Sequence, residues 1–291
     1  RALSRAAKNV DPAIRGTAQF YDWNRARPPE QALLGTQAVI HLAGEPIFAG
    51  IHTRSSRRRM RTSRVEGTRN LVEQIDRLPS EHRPTTLICA SAVGIYGDQG
   101  ENEIDERSPI APPSTASFLA EICSDWETEA ARAEASGLRV CSLRIGIVLS
   151  RKGGALPRML TPFRLGLGGP FGSGEHWVPW IHLDDLCSLI EFALENEKMR
   201  GPINAVAPEP VRNIELAHTL GRVLHRPAVL PLPPFLLRWI LKDLADELLD
   251  SRKIRPARAM AAGFQFKFNT LEKALRQEIS GAVPALGDGT G

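Results

Sequence analysis

Two histidines, two tryptophans and two aspartates fall within the run His176-Trp177-Val178-Pro179-Trp180-Ile181-His182-Leu183-Asp184-Asp185. Imidazoles exchange protons near neutral pH, so His176 and His182 are candidate acids or bases. A second group, Ser91-Ala92-Val93-Gly94-Ile95-Tyr96-Gly97, places a hydroxyl and a phenol close together at the end of an apolar run. Arg144, farther on, can bind an anionic substrate or pair with a carboxylate. Ahead of the histidines lie Pro162, Gly166, Gly168, Gly169, Pro170, Gly172 and Gly174, and Pro179 falls between the two histidines. Glycine costs backbone entropy in regular elements and proline removes a donor, so this stretch reads as a shaped loop. Gly166-x-Gly168-x-x-x-Gly172 has the look of a phosphate cradle. Pro170 interrupts it, however, and no strand-turn-helix surrounds it. The loop therefore reads as a cap on the substrate side, with His176 facing the substrate beside Trp177.

These residues need a scaffold, and the order of elements supplies one. Apolar runs at 38–44, 85–91 and 139–149 read as buried parallel strands. Shorter strands are expected at 1–5 and 19–23, and a brief helical turn at 32–34. Helical spacing covers 54–78, with Val65, Leu71, Val72 and Ile75 on one face, and 115–135, with Gly137 just past its end. Strand and helix alternate, which argues for a doubly wound parallel α/β sheet over 1–150. A cap loop and helix follow over 151–205, with a strand at 202–205. A small mixed lobe is expected over 206–281, with helices at 213–225, 235–249 and 271–279, and a disordered tail over 282–291. Trp126, Phe235 and Trp239 read as core aromatics.

The 291 residues are 42% hydrophobic and 24% charged, with a net charge of +4, which is ordinary for a globular protein. Arginine supplies 30 of the 37 basic residues. The cysteines Cys89, Cys123, Cys141 and Cys187 form no C-x-x-C pair, and buried thiols in a reduced compartment are expected. No apolar run is long enough to span a bilayer, so the expectation is a cytoplasmic protein with no membrane partner. No metal-ligand pattern stands out.

His41-Leu42-Ala43-Gly44-Glu45-Pro46, Ser63-Arg64-Val65-Glu66-Gly67-Thr68, Ser91 to Gly97, Phe163 to Pro170 and Trp180-Ile181-His182-Leu183-Asp184-Asp185 occur in this order. In that order they resemble the epimerase-family proteins of the atypical short-chain dehydrogenase/reductase group. The C-terminal stretch from Asp246 to Phe268 is similar to the extra domain of that family. The resemblance implies a Rossmann-type fold and a first strand-helix unit with a glycine-rich turn, which this chain lacks, so an N-terminally truncated chain is expected. It also implies a nicotinamide cofactor. At the end of the first strand seen here, Ser4-Arg5 stands where an acidic residue would bind a ribose 2′-hydroxyl. A serine and an arginine suit a 2′-phosphate, so NADP(H) is the expected cofactor. Leu42, Ala43, Arg59, Arg64 and Ile147 fall at positions expected to meet it. His182 and Asp184 belong to a widely shared motif and read as structural, Asp184 capping the next helix.

Arg54, Arg57, Arg58, Arg59, Arg61 and Arg64 have no acidic residue close in sequence. With no aromatic residue interleaved to stack on bases, they read as a solvated helix face and no nucleic-acid partner is expected. The proton relay usual in dehydrogenases of this fold, Tyr-x-x-x-Lys, is not encoded. Tyr21 is followed four residues on by Arg25 and Tyr96 by Gly100, while the relevant helix reads Ser117-Phe118-Leu119-Ala120-Glu121-Ile122. The replacement candidates are Ser91, Tyr96 and His176. The expectation is an NADP(H)-binding oxidoreductase or epimerase-like enzyme acting on a small molecule such as a nucleotide sugar. The alternative is a regulatory protein that senses NADP(H) without turnover.

Overall fold

The computed structural model describes residues 1–4, 16–24, 26–47, 53–241 and 243–280. Two compact units emerge, each assembled from separate stretches of chain. One comprises 1–95, 110–144 and 190–203, and the other 96–109, 145–189 and 204–291.

In the first unit, β1 (Ala2–Ser4) and β2 (Phe20–Asp22) form a parallel pair of their own. After the short helix α1 (Glu30–Leu33), β3 (Ala38–His41) pairs in parallel with β4 (Thr86–Ala92). Six of the seven residues of β4 are fully buried, as its unbroken apolar run requires of a strand covered on both faces. Helix α2 (Arg54–Arg61) starts at Thr53, whose side chain accepts from the Ser56 amide, and passes through a π-helical turn at Thr62–Glu66 into α3 (Gly67–Arg77). The α3 face carrying Leu71, Val72 and Ile75 is buried. Beyond β5 (Glu103–Ile104), Ser117 caps α4 (Phe118–Ala131) by accepting from the Ala120 amide at 3.2 Å. This helix is shorter than the expected 115–135, because its last turn tightens over Arg132–Ser136 before Gly137 closes it at φ 86°.

The strand expected over 139–149 is two strands, β6 (Arg139–Ile145) and β7 (Ile147–Leu149). Gly146 causes the break. A Cβ there would stand 2.7 Å from the Pro179 carbonyl oxygen, so only a residue without a side chain permits this approach. Past that point β7 leaves β6's neighbours and pairs in parallel with β9 (Trp180–His182), which follows the short β8 (Trp177–Val178). The four-stranded sheet, in order β10-β6-β4-β3, includes β10 (Gly201–Ala205). Arg139 is buried in the first unit, its guanidinium donating to the carbonyls of Ala193, Leu194 and Met199 and to Thr86 Oγ1.

The second unit is built on an apolar cluster that includes Leu149, Leu160, Phe163, Trp180, Leu220, Phe268 and Leu275. Around it stand α5 (Leu156–Arg164), the start of α6 (Leu183–Glu195) through Leu189, β11 (Val211–Arg212), α7 (Asn213–Leu224), β12 (Lys253–Ile254), α10 (Ala257–Ala261) and α11 (Leu271–Ser280). The helix expected over 235–249 is divided into α8 (Pro234–Leu241) and α9 (Asp243–Leu249). Trp126 is in the core, but Phe235 and Trp239 are not: they stand 74% and 79% exposed. Helical spacing places these two on one face, and here it is Leu237 that turns inward instead. The tail expected over 282–291 lies outside the described residues. No described helix is long and apolar enough to cross a membrane.

Gly146→Ala is expected to lower stability by ~1–3 kcal/mol, because backbone oxygen cannot yield as a flexible side chain can. Urea denaturation measures this; a midpoint equal to that of the parent would contradict the account of the strand break.

Candidate functional site

At the end of β3 the chain runs through Leu42, Ala43 and Gly44 beside a cavity of about 450 Å³. Its walls include Arg1, Ala2, Leu3, Trp23 and the β3 residues through Ala43, and Leu42 is half exposed. The absence of a side chain at Gly44 gives room to Arg64, whose guanidinium carbon would lie 3.0 Å from a Cβ placed there. That guanidinium sits over the Trp126 ring, 5.3 Å from its centroid, a cation–π contact. The Glu45 amide donates to Ser63 Oγ, which ties the loop after β3 to the π-helical turn. His41, beneath, is buried against Thr68 Oγ1 at 2.9 Å and burial lowers its pKa to about 4, so it is neutral.

The arginine run does find acidic partners. Arg59 pairs with Glu45 at 3.5 Å and Arg61 with Asp125 at 2.5 Å. These carboxylates are brought up by the loop after β3 and by α4, so sequence proximity could not reveal them. Ser4 ends β1, its carbonyl accepting from the Trp23 amide at 2.7 Å, while Arg5 lies outside the described residues. Ile147 pairs with Trp180 in the second unit and packs on the core there.

Ser91 is buried in the first unit and donates to Glu127 Oε1 at 2.7 Å. The same carboxylate takes a bidentate pair from Arg144 at 2.9 and 2.8 Å. Of the two roles open to Arg144, pairing with a carboxylate is the one observed. Glu127 escaped the sequence reading. The signal was present, since Cys123 and Ala130, one turn to either side, are buried and mark the inward face of α4.

Tyr96 belongs to the second unit and is fully buried. Its hydroxyl lies 2.8 Å from Asn204 Oδ1 and 3.2 Å from the Asp105 carbonyl, so the single phenolic proton already has acceptors. His176 occupies the loop before β8. Burial lowers its pKa, opposed by the Leu248 backbone and by the charge of Asp98, and its Nε2 is buried with no hydrogen-bond partner among the described residues. Close by in the same unit, the Arg252 guanidinium is buried against Glu247 at 2.8 Å, Asp250 at 2.6 Å and the Gly97 carbonyl at 2.9 Å. Asp250 is pushed up to about 6, by desolvation first and by the neighbouring carboxylates after it, against the pull of Arg252.

His182 is held on every side, as its structural reading expects. Phe268 stacks on it at 3.8 Å, Glu278 lies 3.0 Å from Nε2, and Nδ1 accepts from the Asp184 amide. Thus the imidazole caps α6. Asp184 itself, expected to be the cap, points outward to Lys267 at 3.4 Å. Asp185 carries the structural load, accepting from the amides of Lys267 and Phe268. The glycine loop is equally constrained. A Cβ at Gly169 would collide with the Leu230 carbonyl, and Leu230 and Leu232 donate their amides to the carbonyls of Gly168 and Pro170. Among the described residues no group of His, Cys, Asp and Glu could hold a metal ion.

A parallel α/β sheet with a cavity reaching the end of one of its strands defines a protein of the Rossmann-type class. The chain belongs to the NAD dependent epimerase/dehydratase family, which it matches over residues 2–205. Residues 232–278 match a domain of unknown function, DUF1731. The Arabidopsis thaliana protein named "Epimerase family protein SDR39U1 homolog, chloroplastic" is 43% identical over 245 residues, covering 83% of this chain and 68% of its own. The crystal structure of human epimerase family protein SDR39U1 with NADPH superposes with a TM-score of 0.81 at 31% identity, covering 96% of this chain and 90% of that one. A nucleoside-diphosphate sugar epimerase from Corynebacterium glutamicum gives 0.70 at 34% identity, over 88% of this chain and 49% of that one.

Asp250 has a consequence that titration can read. Its folded pKa, about 6, lies above the ordinary carboxylate value of 3.8. The folded state therefore holds an extra proton between these values, and this group's contribution to stability falls as pH rises from about 4 to about 6. Asp250→Asn is expected to remove that component from the pH dependence of the urea midpoint. An unchanged profile would contradict it.

Proposed function

We propose that the protein binds NADP(H) at the end of β3 and is an oxidoreductase or epimerase-like enzyme acting on a small molecule, a nucleotide sugar being the favoured class. The observation that carries this reading is Arg64, whose guanidinium lies over Trp126 and against Gly44, the residue that follows the cavity-lining Leu42 and Ala43. A preorganised guanidinium at a strand end open to backbone approach suits an anionic dinucleotide. Leu42, Ala43 and Arg64 would hold the cofactor, with Ser4, Arg5 and Arg59 as further contacts. The NADPH in the human relative and the sugar-nucleotide name of the corynebacterial one support the cofactor and the substrate class respectively. When bound, the cofactor supplies a nicotinamide ring able to give or take hydride.

In this reading the chain's own task is to bind, orient and move a proton. Within the second unit, His176, whose Nε2 has no hydrogen-bond partner among the described residues, is the candidate for proton exchange, since burial favours the neutral imidazole. Ser91 and Tyr96 act as positioning residues, because their hydroxyls are already committed within the fold. That commitment, with Phe118 standing in the helix where a catalytic tyrosine would be expected, also supports the second reading: a regulatory protein that binds NADP(H) without turnover.

The test uses the full-length protein, NADPH fluorescence and a screen of sugars, aldehydes and ketones for NADPH consumption. Binding with turnover supports the enzyme, and binding without turnover the sensor. Absence of binding overturns both. Arg64→Ala is expected to weaken NADPH by roughly 10- to 100-fold, the range for losing a charged hydrogen bond. Arg5→Ala is expected to weaken NADPH more than NADH, and equal losses would remove the 2′-phosphate argument.

A further inference from the structure

The second unit has a surface that the proposed chemistry does not use. Leu165 and Leu167 are 69% and 60% exposed, Val229 and Leu230 71% and 49%, and Phe235 and Trp239 74% and 79%. These side chains belong to two stretches joined along their length. The Arg226 guanidinium donates to the Arg164 carbonyl, the Leu230 and Leu232 amides to Gly168 and Pro170, and the Gly172 amide back to Leu232. Pro234, at the start of α8, reaches the far end of the loop at Gly172. The six exposed side chains thus lie along two stretches tied side by side, here called the apolar band. Aromatic side chains contribute about 150–250 Å² each, so the band exceeds the few hundred Å² that soluble monomers usually leave exposed.

Adjoining the band is a surface groove of about 730 Å³, lined by His218, Arg222, His225, Arg226, Ala228 and Arg276. Ala228 and Arg226 lead directly into the band. Glu272 is the carboxylate facing this cluster, paired with Arg222 at 3.2 Å and Arg276 at 2.6 Å. The sequence repeats the bias. Residues 151–174 contain Arg151, Lys152, Arg158 and Arg164, and residues 216–242 contain Arg222, Arg226, Arg238 and Lys242, with no aspartate or glutamate in either stretch.

We infer that this face docks on an anionic lipid surface, the leucines, Phe235 and Trp239 entering the headgroup boundary while the basic groove takes lipid phosphates. Charge complementarity selects this occupant. A second copy meeting the same face about a twofold axis would bring the two cationic margins together, at a repulsive cost. A bilayer instead offers negative charge beside hydrocarbon, and it accepts an irregular apolar band without needing a matching shape. Such docking requires no membrane-spanning segment, so the absence of a long apolar run in the sequence does not oppose it.

The experiment is co-flotation of the full-length protein with vesicles of phosphatidylcholine alone or with about 30 mol % phosphatidylglycerol, compared at low salt and at about 0.5 M salt. The expected result is flotation with the anionic vesicles and not with the neutral ones, weakened by salt. Two variants separate the parts: Phe235→Ser with Trp239→Ser, and Arg222→Glu with Arg226→Glu. Each is expected to reduce partitioning about tenfold or more. All four residues are exposed, and circular dichroism checks that the fold is intact. Equal flotation with neutral and anionic vesicles, no flotation, or variants that float like the parent would overturn the proposal. So would sedimentation showing a dimer that the Phe235/Trp239 variant converts to a monomer, since the band would then be an interface between copies. Inorganic phosphate at matched ionic strength is expected not to displace the vesicles. Displacement would identify the groove as a free-phosphate site instead.

Discussion

A charge taken out of water must be met where it is buried, and much of this structure follows from that constraint. Removing a carboxylate or guanidinium from solvent costs several kcal/mol unless an opposite charge and hydrogen bonds stand ready. Arg144 and Glu127 satisfy the requirement with each other and with Ser91. Arg139 meets it with three carbonyls, and Arg252 with two carboxylates and a carbonyl. Each such cluster joins elements distant in sequence, so each unit is held together internally by polar contacts as well as by apolar packing.

The same constraint sorts the chemistry-bearing residues. Ser91, Arg144 and Tyr96 are the types a mechanism would recruit, yet each spends its polar atoms inside the fold. His182 accepts the Asp184 amide at Nδ1, and its Nε2 lies 3.0 Å from the Glu278 carboxylate. His176 is partly buried, with no hydrogen-bond partner for Nε2 among the described residues, and the Arg64 guanidinium lies over the Trp126 indole.

Much of this was legible in the sequence. The buried strands at β3, β4 and β6, the alternation of strand and helix and the family motifs all pointed to the Rossmann-type sheet. So did the small residues after His41, which need close backbone approach. What escaped notice were long-range relations. The partners of Arg59 and Arg61 come from the β3 loop and from α4, so the arginine run looked unpaired. Glu127 carried a periodic signal but drew no attention beside the hydroxyls. Phe235 and Trp239 read as core because apolar aromatics at helical spacing usually are. Their exposure depends on which face of α8 the second unit covers, and periodicity alone does not say. Gly146 ended a strand for a reason visible only with Pro179 in place.

The central claim is that the end of β3, with Arg64 over Trp126, is where the anionic ligand is held. Hydrogen–deuterium exchange on the full-length protein with and without NADPH tests it directly. The account predicts slowed exchange at the amides from Leu42 to Glu45 and across the turn bearing Arg64. NADPH binding that leaves those amides unprotected, or protects only segments elsewhere, would contradict it.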